Sequence, residues 1–245
     1  PLTYQVGGAL PLPPPSTLVG SLAYGMAQAG DGPAGFHGDK FHNPLCINVL
    51  DMLVRAVAKP VSPLTCSSIT MSRLRTLEKK SSDEVIKKIE GGQRISDAMV
   101  REYYSGRLAL IYVFRDTVDV GKIRKWLFLL SRLGDTESLV SLEGVEEAKL
   151  EQVGREGYVD TYTPREWVET VGEGVFSLIR MGCENLSEIV VRGRKEYEEY
   201  TSVYIMPLAE KIVEPKGQVV LEGSSVYIRT KNDCAIWRVE AVSYT

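Results

Sequence analysis

The chain has 245 residues, of which 44% are hydrophobic and 25% are charged, as in ordinary soluble globular proteins. Its apolar runs, such as residues 126–130, are too short to span a bilayer, which predicts that the protein crosses no membrane. No charged-then-apolar leader opens the chain, so we expect no secretion. Because the sequence opens at Pro1 rather than at Met, we expect that an N-terminal piece is missing from it.

The cysteines argue against zinc and against disulfides. No two of them form a Cys-x-x-Cys pair, and this spacing disfavours a structural zinc site. So few cysteines in so long a chain also disfavour a disulfide framework. We therefore predict a reducing, cytoplasmic setting, and we expect neither a metal nor a cofactor. The four cysteines are Cys46, Cys66, Cys183 and Cys234.

Charge is distributed unevenly along the chain, whose net charge is −3. Residues 1–54 carry −2, residues 55–125 carry +7 from 15 Lys and Arg against 8 Asp and Glu, and residues 126–245 carry −8. A polyanion responds to the local potential and not to the average of the chain. The middle third is therefore a candidate phosphate-binding surface, and the alternative is a solvated face on an ordinary fold.

The predicted elements begin with a helix that follows a run of prolines. Residues 11–15, Pro-Leu-Pro-Pro-Pro, cannot lie inside a helix. Apolar residues then recur at helical spacing from Leu18 to Met26, which predicts a helix with one apolar stripe. Ser16 and Thr17 stand at its start, where backbone N–H groups have no partner within the helix, so this end is a candidate anion site.

Two further helices and a strand are predicted before residue 100. Residues 45–58 are expected to form a helix that stops before Pro60, and residues 66–71 have strand-like composition. A basic stretch follows at residues 73–80, and residues 81–89 predict a short helix that ends at a pair of glycines.

The middle of the chain predicts a strand–helix–strand unit. Residues 108–114 form a continuous apolar run, which is typical of a central, fully buried strand. Residues 120–133 predict a helix, and residues 139–142 predict the next strand. The helix is therefore expected to pack on one face of a sheet.

Beyond residue 150 the pattern weakens and becomes rich in strands. Residues 165–180 suit a helix, although they contain two glycines that disfavour one. Three strands joined by turns are predicted near the C-terminus, at residues 218–221, 225–229 and 235–241.

Motifs of the common enzyme classes are absent from the sequence. It contains no GxxxxGK[ST] phosphate loop, no GxSxG elbow and no HExxH zinc motif. His37, Asp39 and His42 are metal-ligand types, but their spacing fits no standard site, so a plain surface loop is favoured. The sequence also names no partner that would make His42 a general base.

An aromatic pair stands among basic residues in the middle third. Tyr103 and Tyr104 lie between Arg101 and Arg107, and tyrosines interleaved with arginines suit base stacking combined with phosphate contact. The alternative is that one tyrosine packs in the core beside the next strand while the arginines stay solvated.

Three segments carry a resemblance to a known family. Residues 10–25 read Leu-Pro-Leu-Pro-Pro-Pro-Ser-Thr-Leu-Val-Gly-Ser-Leu-Ala-Tyr-Gly. They resemble the PPP-S/T-T-L-(V/I)-G-x-L-x-Y segment of the CRISPR-associated Cas-five family, in the RAMP superfamily. Residues 101–104, Arg-Glu-Tyr-Tyr, are similar to the family's centre, and residues 132–140 resemble its R-x-G-x-x-E-S segment. The match is closest in character to archaeal type I-A proteins, and the last third of the chain matches only vaguely.

The resemblance implies an α+β fold with two parts. The first is a ferredoxin-like (RRM-like) RAMP domain over residues 1–150, with an inserted basic thumb at about residues 61–94. The second is a smaller β-rich part over residues 151–245. The family's first strand normally precedes the proline segment, and this sequence has little or none of it. We expect that strand to be missing or to be replaced by another segment.

The resemblance also implies a non-catalytic role. The family's subunit caps the 5′ handle of CRISPR RNA in a type I Cascade surveillance complex for antiviral defence, where it touches the backbone subunit and the large subunit. It meets target DNA only through the complex. Basic thumb residues would neutralise RNA phosphates, and Met71 or Leu74 would wedge between bases. The expected RNA-binding residues are Ser16, Thr17, Met71, Arg73, Leu74, Arg75, Lys79, Lys80, Arg101, Tyr103, Tyr104 and Arg107.

Two alternatives from other classes remain open. One branch of the family cuts precursor CRISPR RNA without metal through Tyr, Lys and His, with Lys and His adjacent. Here Phe41 separates Lys40 from His42. Cleavage by general acid and base needs a proton donor and an acceptor that flank the phosphate, and the sequence shows no such set, so the nuclease is disfavoured. The other alternative is a generic binder of single-stranded RNA outside any complex.

Overall fold

The computed structural model shows an α+β protein built mainly from strands. Within the described residues the chain forms four α-helices and seventeen β-strands, several of them only two or three residues long. The predicted α+β class is confirmed, whereas its ferredoxin-like arrangement stays a prediction. The structure describes residues 6–32, 35–37, 40–42, 44–73, 82–92, 97–134, 138–185, 199–214 and 217–241.

The first elements surround the proline run. They are β1 (Val6–Gly7), α1 (Pro15–Gln28), β2 (Gly35–His37), β3 (Lys40–His42) and α2 (Pro44–Met52). The predicted first helix is confirmed. It begins with a proline because the backbone N–H groups of the first helical turn have no acceptor within the helix, so a residue without an N–H costs no hydrogen bond there. The short strand β1 stands before the proline run, so a strand does precede that segment.

A long ribbon follows, made of two strand pairs joined end to end. Its elements are β4 (Leu53–Pro60), β5 (Leu64–Arg73), α3 (Ser82–Glu90), β6 (Asp97–Ser105) and β7 (Leu108–Phe114). β4 pairs antiparallel with β7, and β5 pairs antiparallel with β6. We call the β5–β6 pair the outer ribbon, and α3 lies in the connection at its far end. The predicted strand over residues 66–71 and the short helix over residues 81–89 are both confirmed.

The predicted helix over residues 45–58 is wrong in its second half. α2 ends at Met52, and the following residues enter the ribbon as β4. A short apolar run does not distinguish a helix from a strand, and here pairing with the apolar strand β7 decides the outcome. β7 is half-buried rather than fully buried, because in the described part of the chain it pairs with β4 alone.

α4 (Val120–Phe128) is shorter than the predicted helix over residues 120–133. Asp119 caps it, since its carboxylate accepts a hydrogen bond from the Lys122 N–H at 3.2 Å. The strand predicted at residues 139–142 is wrong, because those residues make only an isolated bridge in the described structure. A loop therefore replaces the second strand of the expected strand–helix–strand unit.

The C-terminal part consists of strands joined by short turns. Its first half holds β8 (Ala148–Gly154), β9 (Glu156–Val159), β10 (Thr163–Pro164), a 3-10 helix (Arg165–Trp167), β11 (Val168–Gly174) and β12 (Ser177–Gly182). Its second half holds β13 (Thr201–Met206), β14 (Leu208–Val213), β15 (Gln218–Gly223), β16 (Val226–Thr230) and β17 (Ile236–Ala241). The three predicted C-terminal strands are confirmed. The predicted helix over residues 165–180 is wrong, since Gly174 ends β11 with φ at 136°, a conformation outside the helical region.

Strands from both parts of the chain share the largest sheet. Its five strands lie in the order β1-β6-β5-β15-β14, with β1 parallel to β6 and the other pairs antiparallel. Two three-stranded sheets, β10-β13-β12 and β11-β16-β9, and the pairs β17–β8, β2–β3 and β4–β7 make up the other described sheets. β15 and β14 thus extend the outer ribbon into a broader surface.

The larger apolar core also joins both parts of the chain. It includes Leu18 and Leu22 of α1, Trp126 of α4, and Tyr204 and Met206 of β13. A smaller core lies among β11, β13, β16 and β17. Among the described residues, none of the helices combines the length and the apolar character that crossing a bilayer requires.

A largely buried ion pair fastens β4 to the C-terminal strands. Arg55 donates to the Glu184 carboxylate at 3.0 Å. Its guanidinium lies 4.7 Å from the ring centroid of Trp167 and 5.6 Å from that of Tyr204. Replacing Glu184 would remove the carboxylate that pairs with the Arg55 guanidinium in a poorly solvated place, which is strongly destabilising. These contacts hold the base of the long ribbon in position.

Because the hydroxyl of Tyr112 in β7 is buried with its proton, we expect the protein to lose stability at alkaline pH. Its hydroxyl lies 3.2 Å from Ser21 Oγ and 3.3 Å from the Leu18 carbonyl, and burial raises its pKa from 10.0 to about 12. The unfolded chain releases the Tyr112 proton at a lower pH than the folded chain does. The stabilisation that the buried, protonated hydroxyl gives the fold is therefore complete below about pH 10 and is lost as the pH rises to about 12. A pKa difference of about 2 corresponds to about 2.7 kcal/mol.

Urea unfolding between about pH 9 and pH 12 would measure this decline in the free energy of unfolding. The Tyr112→Phe variant should show a shallower decline, since it carries no proton to release at that place. A decline of equal steepness in the variant and in the original chain would contradict the prediction.

Candidate nucleic-acid interface

The start of α1 is shaped by prolines and offers few backbone donors. Pro14 and Pro15 occupy the N-cap and the first helical position, and neither has an N–H. The amides of Thr17 and Leu18 both donate to the Pro14 carbonyl, at 2.9 and 3.2 Å. The donors left for an anion are the Ser16 amide and the hydroxyls of the half-buried Ser16 and Thr17. The predicted anion site therefore depends more on hydroxyl groups than on backbone amides.

The proline run is anchored from the C-terminal part. Leu12 is only 2% exposed, and the Tyr162 hydroxyl donates to the Pro13 carbonyl at 3.0 Å. Tyr162 packs edge-on against Tyr204, with 5.6 Å between the ring centroids. Burial raises the pKa of Tyr162, so its hydroxyl keeps the proton that it donates. The proline run is thus part of the core and sets the orientation of α1.

A tight loop after α4 lies beside the start of α1. The Leu133 N–H donates to the Ser138 carbonyl at 2.9 Å, and Gly134 has φ at 110°. A Cβ at Gly134 would lie 3.9 Å from Thr17 Cγ2. Two of the segments that carry the family resemblance therefore meet here, while residues 135–137 lie outside the described structure.

Tyr103 and Tyr104 lie on opposite faces of β6, because successive side chains of a strand alternate. In the outer ribbon Tyr103 stands opposite Ser67, and Tyr104 stands opposite Cys66. Tyr104 lines a cleft together with Pro11 of the proline run. The two rings therefore form no single stacking platform, and the part that each has in binding RNA stays a prediction.

One face of the outer ribbon gathers four of the expected RNA-binding residues. Directly opposed residues of an antiparallel pair share a face, so Arg101 shares a face with the opposed Ile69 and with Tyr103 two positions along. Arg101 and Tyr103 are half-buried, and Ile69 is exposed. Met71 and Arg73 occupy the next register positions on that face.

Arg107 lies at the turn between β6 and β7 and forms an ion pair. Its Nε lies 3.1 Å from Glu143 Oε2, and its Nη2 also bonds that oxygen. Both side chains are mostly exposed, and a pair of this kind contributes at most about 1 kcal/mol. A phosphate could therefore take the place of the carboxylate. The remaining expected residues lie outside the described structure, namely Leu74, Arg75, Lys79 and Lys80.

The histidines lie in the β2–β3 hairpin. His37 stands opposite Lys40, and His42 stands opposite Gly35. Because positions two apart in a strand share a face, this register places His37, Lys40 and His42 on one face. In the described part of the chain, no group of three or more His, Cys, Asp or Glu is placed to hold a metal ion.

Sequence reasoning missed two residues that position the interface. Glu143 pairs with Arg107 across 36 positions of sequence, and Tyr162 reaches the proline run across 149 positions. Glu143 stands in an irregular acidic stretch and Tyr162 in a segment of weak periodicity, so no local pattern marks either residue.

Comparison with known proteins identifies the family. A CRISPR-associated protein Cas5 from Methanocaldococcus jannaschii is 32% identical to this chain over 216 residues, which cover 85% of this chain and 79% of that protein. The chain belongs to the Cas5 family. The family membership that the proline segment predicts is thereby confirmed.

Two further Cas5 proteins agree with this assignment. A Cas5 protein from Thermoproteus tenax is 36% identical over 155 residues, which cover 62% of this Cas5 chain and 61% of the relative. A Saccharolobus solfataricus protein named CRISPR system aCascade subunit Cas5 1 is 25% identical over 229 residues, covering 93% of this chain and 91% of the relative. No family model matches the chain.

A solved structure shares the fold of this Cas5 chain. The crystal structure of a CRISPR protein from Archaeoglobus fulgidus superposes with a TM-score of 0.51 and covers 98% of this chain and 90% of that one. The two sequences are 15% identical, so the likeness concerns the fold.

Proposed function

We propose that this Cas5 chain is a non-catalytic, RNA-binding subunit that caps the 5′ handle of CRISPR RNA in a type I Cascade surveillance complex. Its partners there are the backbone subunit and the large subunit, and target DNA is reached only through the complex. The observation that carries the proposal is the shared face of Arg73, Arg101 and Tyr103 on the outer ribbon. The name of the S. solfataricus relative, an aCascade subunit, supports membership of an assembly.

The chemistry of this face suits a single strand of RNA. Arginines neutralise phosphates and release their counterions, and a tyrosine ring stacks on any base. Met71, at the next register position on the same face, is of the apolar type that separates bases and kinks a strand. The face thus combines the residue types for backbone contact, stacking and wedging over a few strand positions.

The distribution of charge supports one RNA face and other faces for protein. Residues 55–125, which include the whole outer ribbon, carry a net charge of +7, while residues 126–245 carry −8. An acidic surface repels a polyanion, so the C-terminal part is assigned to protein contacts or to solvent.

The assembled particle tests the proposal. When the chain is expressed with the other subunits of its complex and purified, the particle should contain one copy of it per guide RNA. Ultraviolet crosslinks from this chain should map to the first nucleotides of that guide. A chain that stays monomeric and binds unrelated RNAs equally well would contradict the handle-capping role and favour a generic RNA binder.

A second candidate function is a metal-independent endoribonuclease. One observation favours it, namely the hairpin register that places His37, Lys40 and His42 on one face. Histidine titrates near neutral pH and can act as general acid or base, and a lysine is of the residue type that stabilises the charge developing on a phosphate.

Incubation with repeat RNA in the presence of a chelator separates the two candidates. We expect the RNA to stay intact over hours with the purified chain. Site-specific cleavage that is lost in the His37→Ala and His42→Ala variants, but kept in a Glu240→Ala control, would establish the nuclease. Cleavage that persists in both histidine variants would indicate a contaminating enzyme.

A further inference from the structure

A cleft of about 260 Å³ opens between the five-stranded sheet and β12. Its walls are mainly apolar and come from Leu64, Leu208 and Leu221 of the sheet, Ile179 of β12, and Pro11 of the proline run. The volume lies below the roughly 300–1,000 Å³ that is typical of sites for drug-sized ligands. The cleft therefore has the size for one long side chain and not for a cofactor.

The charged residue that lines this cleft is a glutamate. Glu210 is exposed at its rim and forms no hydrogen bond or ion pair with any described residue. Burial, followed by the neighbouring Cys66 thiol and the carboxylates of Glu102 and Glu210, raises the pKa of Tyr104 in the wall. None of the residues that line the cleft is a lysine or an arginine.

Apolar walls and a carboxylate at the rim are what an arginine side chain requires. Its methylene stem packs on apolar surface while its guanidinium binds a carboxylate through two parallel hydrogen bonds. A phosphate would meet the Glu210 carboxylate and, among the residues that line the cleft, no lysine or arginine, so an RNA backbone is disfavoured.

We propose that this cleft receives an arginine side chain from a neighbouring protein subunit. The proposal rests on the proposed function for its partner, a subunit of the same complex. It does not require that this chain itself binds RNA. Charge complementarity supports that occupant, since the residues that line the cleft include a carboxylate and no lysine or arginine, and the cleft lies on the sheet that β14 and β15 of the acidic C-terminal part complete.

A photo-crosslinker at the rim identifies the occupant. Val219 lines the cleft and is 52% exposed, so p-benzoylphenylalanine placed there reports on whatever enters. In the purified particle we expect a crosslink to a peptide of another subunit that contains arginine. A crosslink to RNA, a crosslink to a segment of this chain or the absence of any crosslink would overturn the proposal.

Charge reversal provides the second test, with a matched control on the same hairpin. Glu210→Lys should lower the amount of the crosslinked subunit retained on this chain by about tenfold or more, because two like charges would then meet. Glu222→Lys should have no such effect, since Glu222 lies in β15 next to the cleft residue Leu221, on the opposite face, and pairs with Lys211.

The same variants distinguish failure of this inference from failure of the proposed function. Handle-RNA affinity of the Glu210→Lys chain should stay within about twofold of the original. Equal loss of the subunit in both variants would overturn the inference, and so would a loss of RNA affinity confined to Glu210→Lys. If the original chain binds no handle RNA, the proposed function fails while the crosslink still reports on the cleft.

Discussion

Alanine at both Arg73 and Arg75 is expected to weaken binding of 5′-handle RNA by about 25-fold at 0.1 M salt. Arg73 ends β5 on the face that also holds Arg101 and Tyr103, and Arg75 follows two positions along the chain. Each lost contact with a single-stranded phosphate lowers the slope of log K against log salt by about 0.7. The slope of the double variant should therefore be shallower by about 1.4. Its affinity for the RNA should approach that of the original chain as the salt concentration rises.

A matched pair of basic residues outside the outer ribbon is the control. Lys149 and Lys231 are exposed in the acidic C-terminal part, so alanine at both removes the same charge from another surface. Titration of labelled RNA at several salt concentrations measures both variants. Unchanged affinity of the Arg73 and Arg75 variant at every salt, or an equal loss in the lysine control, would contradict the assignment of the outer ribbon to RNA.

Gly25→Ala is expected to destabilise the fold by about 3 kcal/mol. Gly25 of α1 faces α4, where an added Cβ would lie 2.3 Å from the carbonyl oxygen and 3.0 Å from the carbonyl carbon of Trp126. These are backbone atoms that cannot rotate away, so the two helices must separate and the core around Leu22 and Trp126 must loosen. For a chain of this length, such a loss lowers Tm by about 6–12 °C.

Gly20→Ala on the same helix is the control, and this substitution should raise the stability of the fold instead of lowering it. A Cβ at Gly20 meets nothing within 4 Å, and alanine in a helix interior is about 0.5–1 kcal/mol more favourable than glycine. Thermal and urea unfolding followed by circular dichroism would measure both variants. Equal stability of the two variants would contradict the close packing of α1 on α4.

The helices that could be predicted correctly are those with strong local signals. α1 follows a proline run and carries one apolar stripe, and α3 is bounded by a serine and two glycines. The errors fall where local preference is weak or divided. Residues 53–58 are apolar enough for either a helix or a strand, and their pairing with β7 decides for a strand.

The sequence predicts which types of residue the candidate site contains better than it predicts how those residues are placed relative to one another. Arg101 and Tyr103 remain together on one face, while Tyr104 turns to the cleft beside the proline run. Alternation along a strand separates neighbours in sequence, and the sequence does not separate these two tyrosines because it predicts no strand over residues 101–105. The pairing of Arg107 with Glu143 likewise depends on a loop that carries no periodic signal.

Membership of the Cas5 family and the basic character of the middle third were readable from the order of residues, because motifs and local charge need no knowledge of packing. Folding was needed to place Gly134 beside Thr17, to anchor the proline run on Tyr162 and to form the cleft that Tyr104 and Glu210 line. These contacts join residues that lie far apart in the chain. Their formation depends on how complete sheets and helices bury their apolar faces together, which no local stretch of sequence specifies.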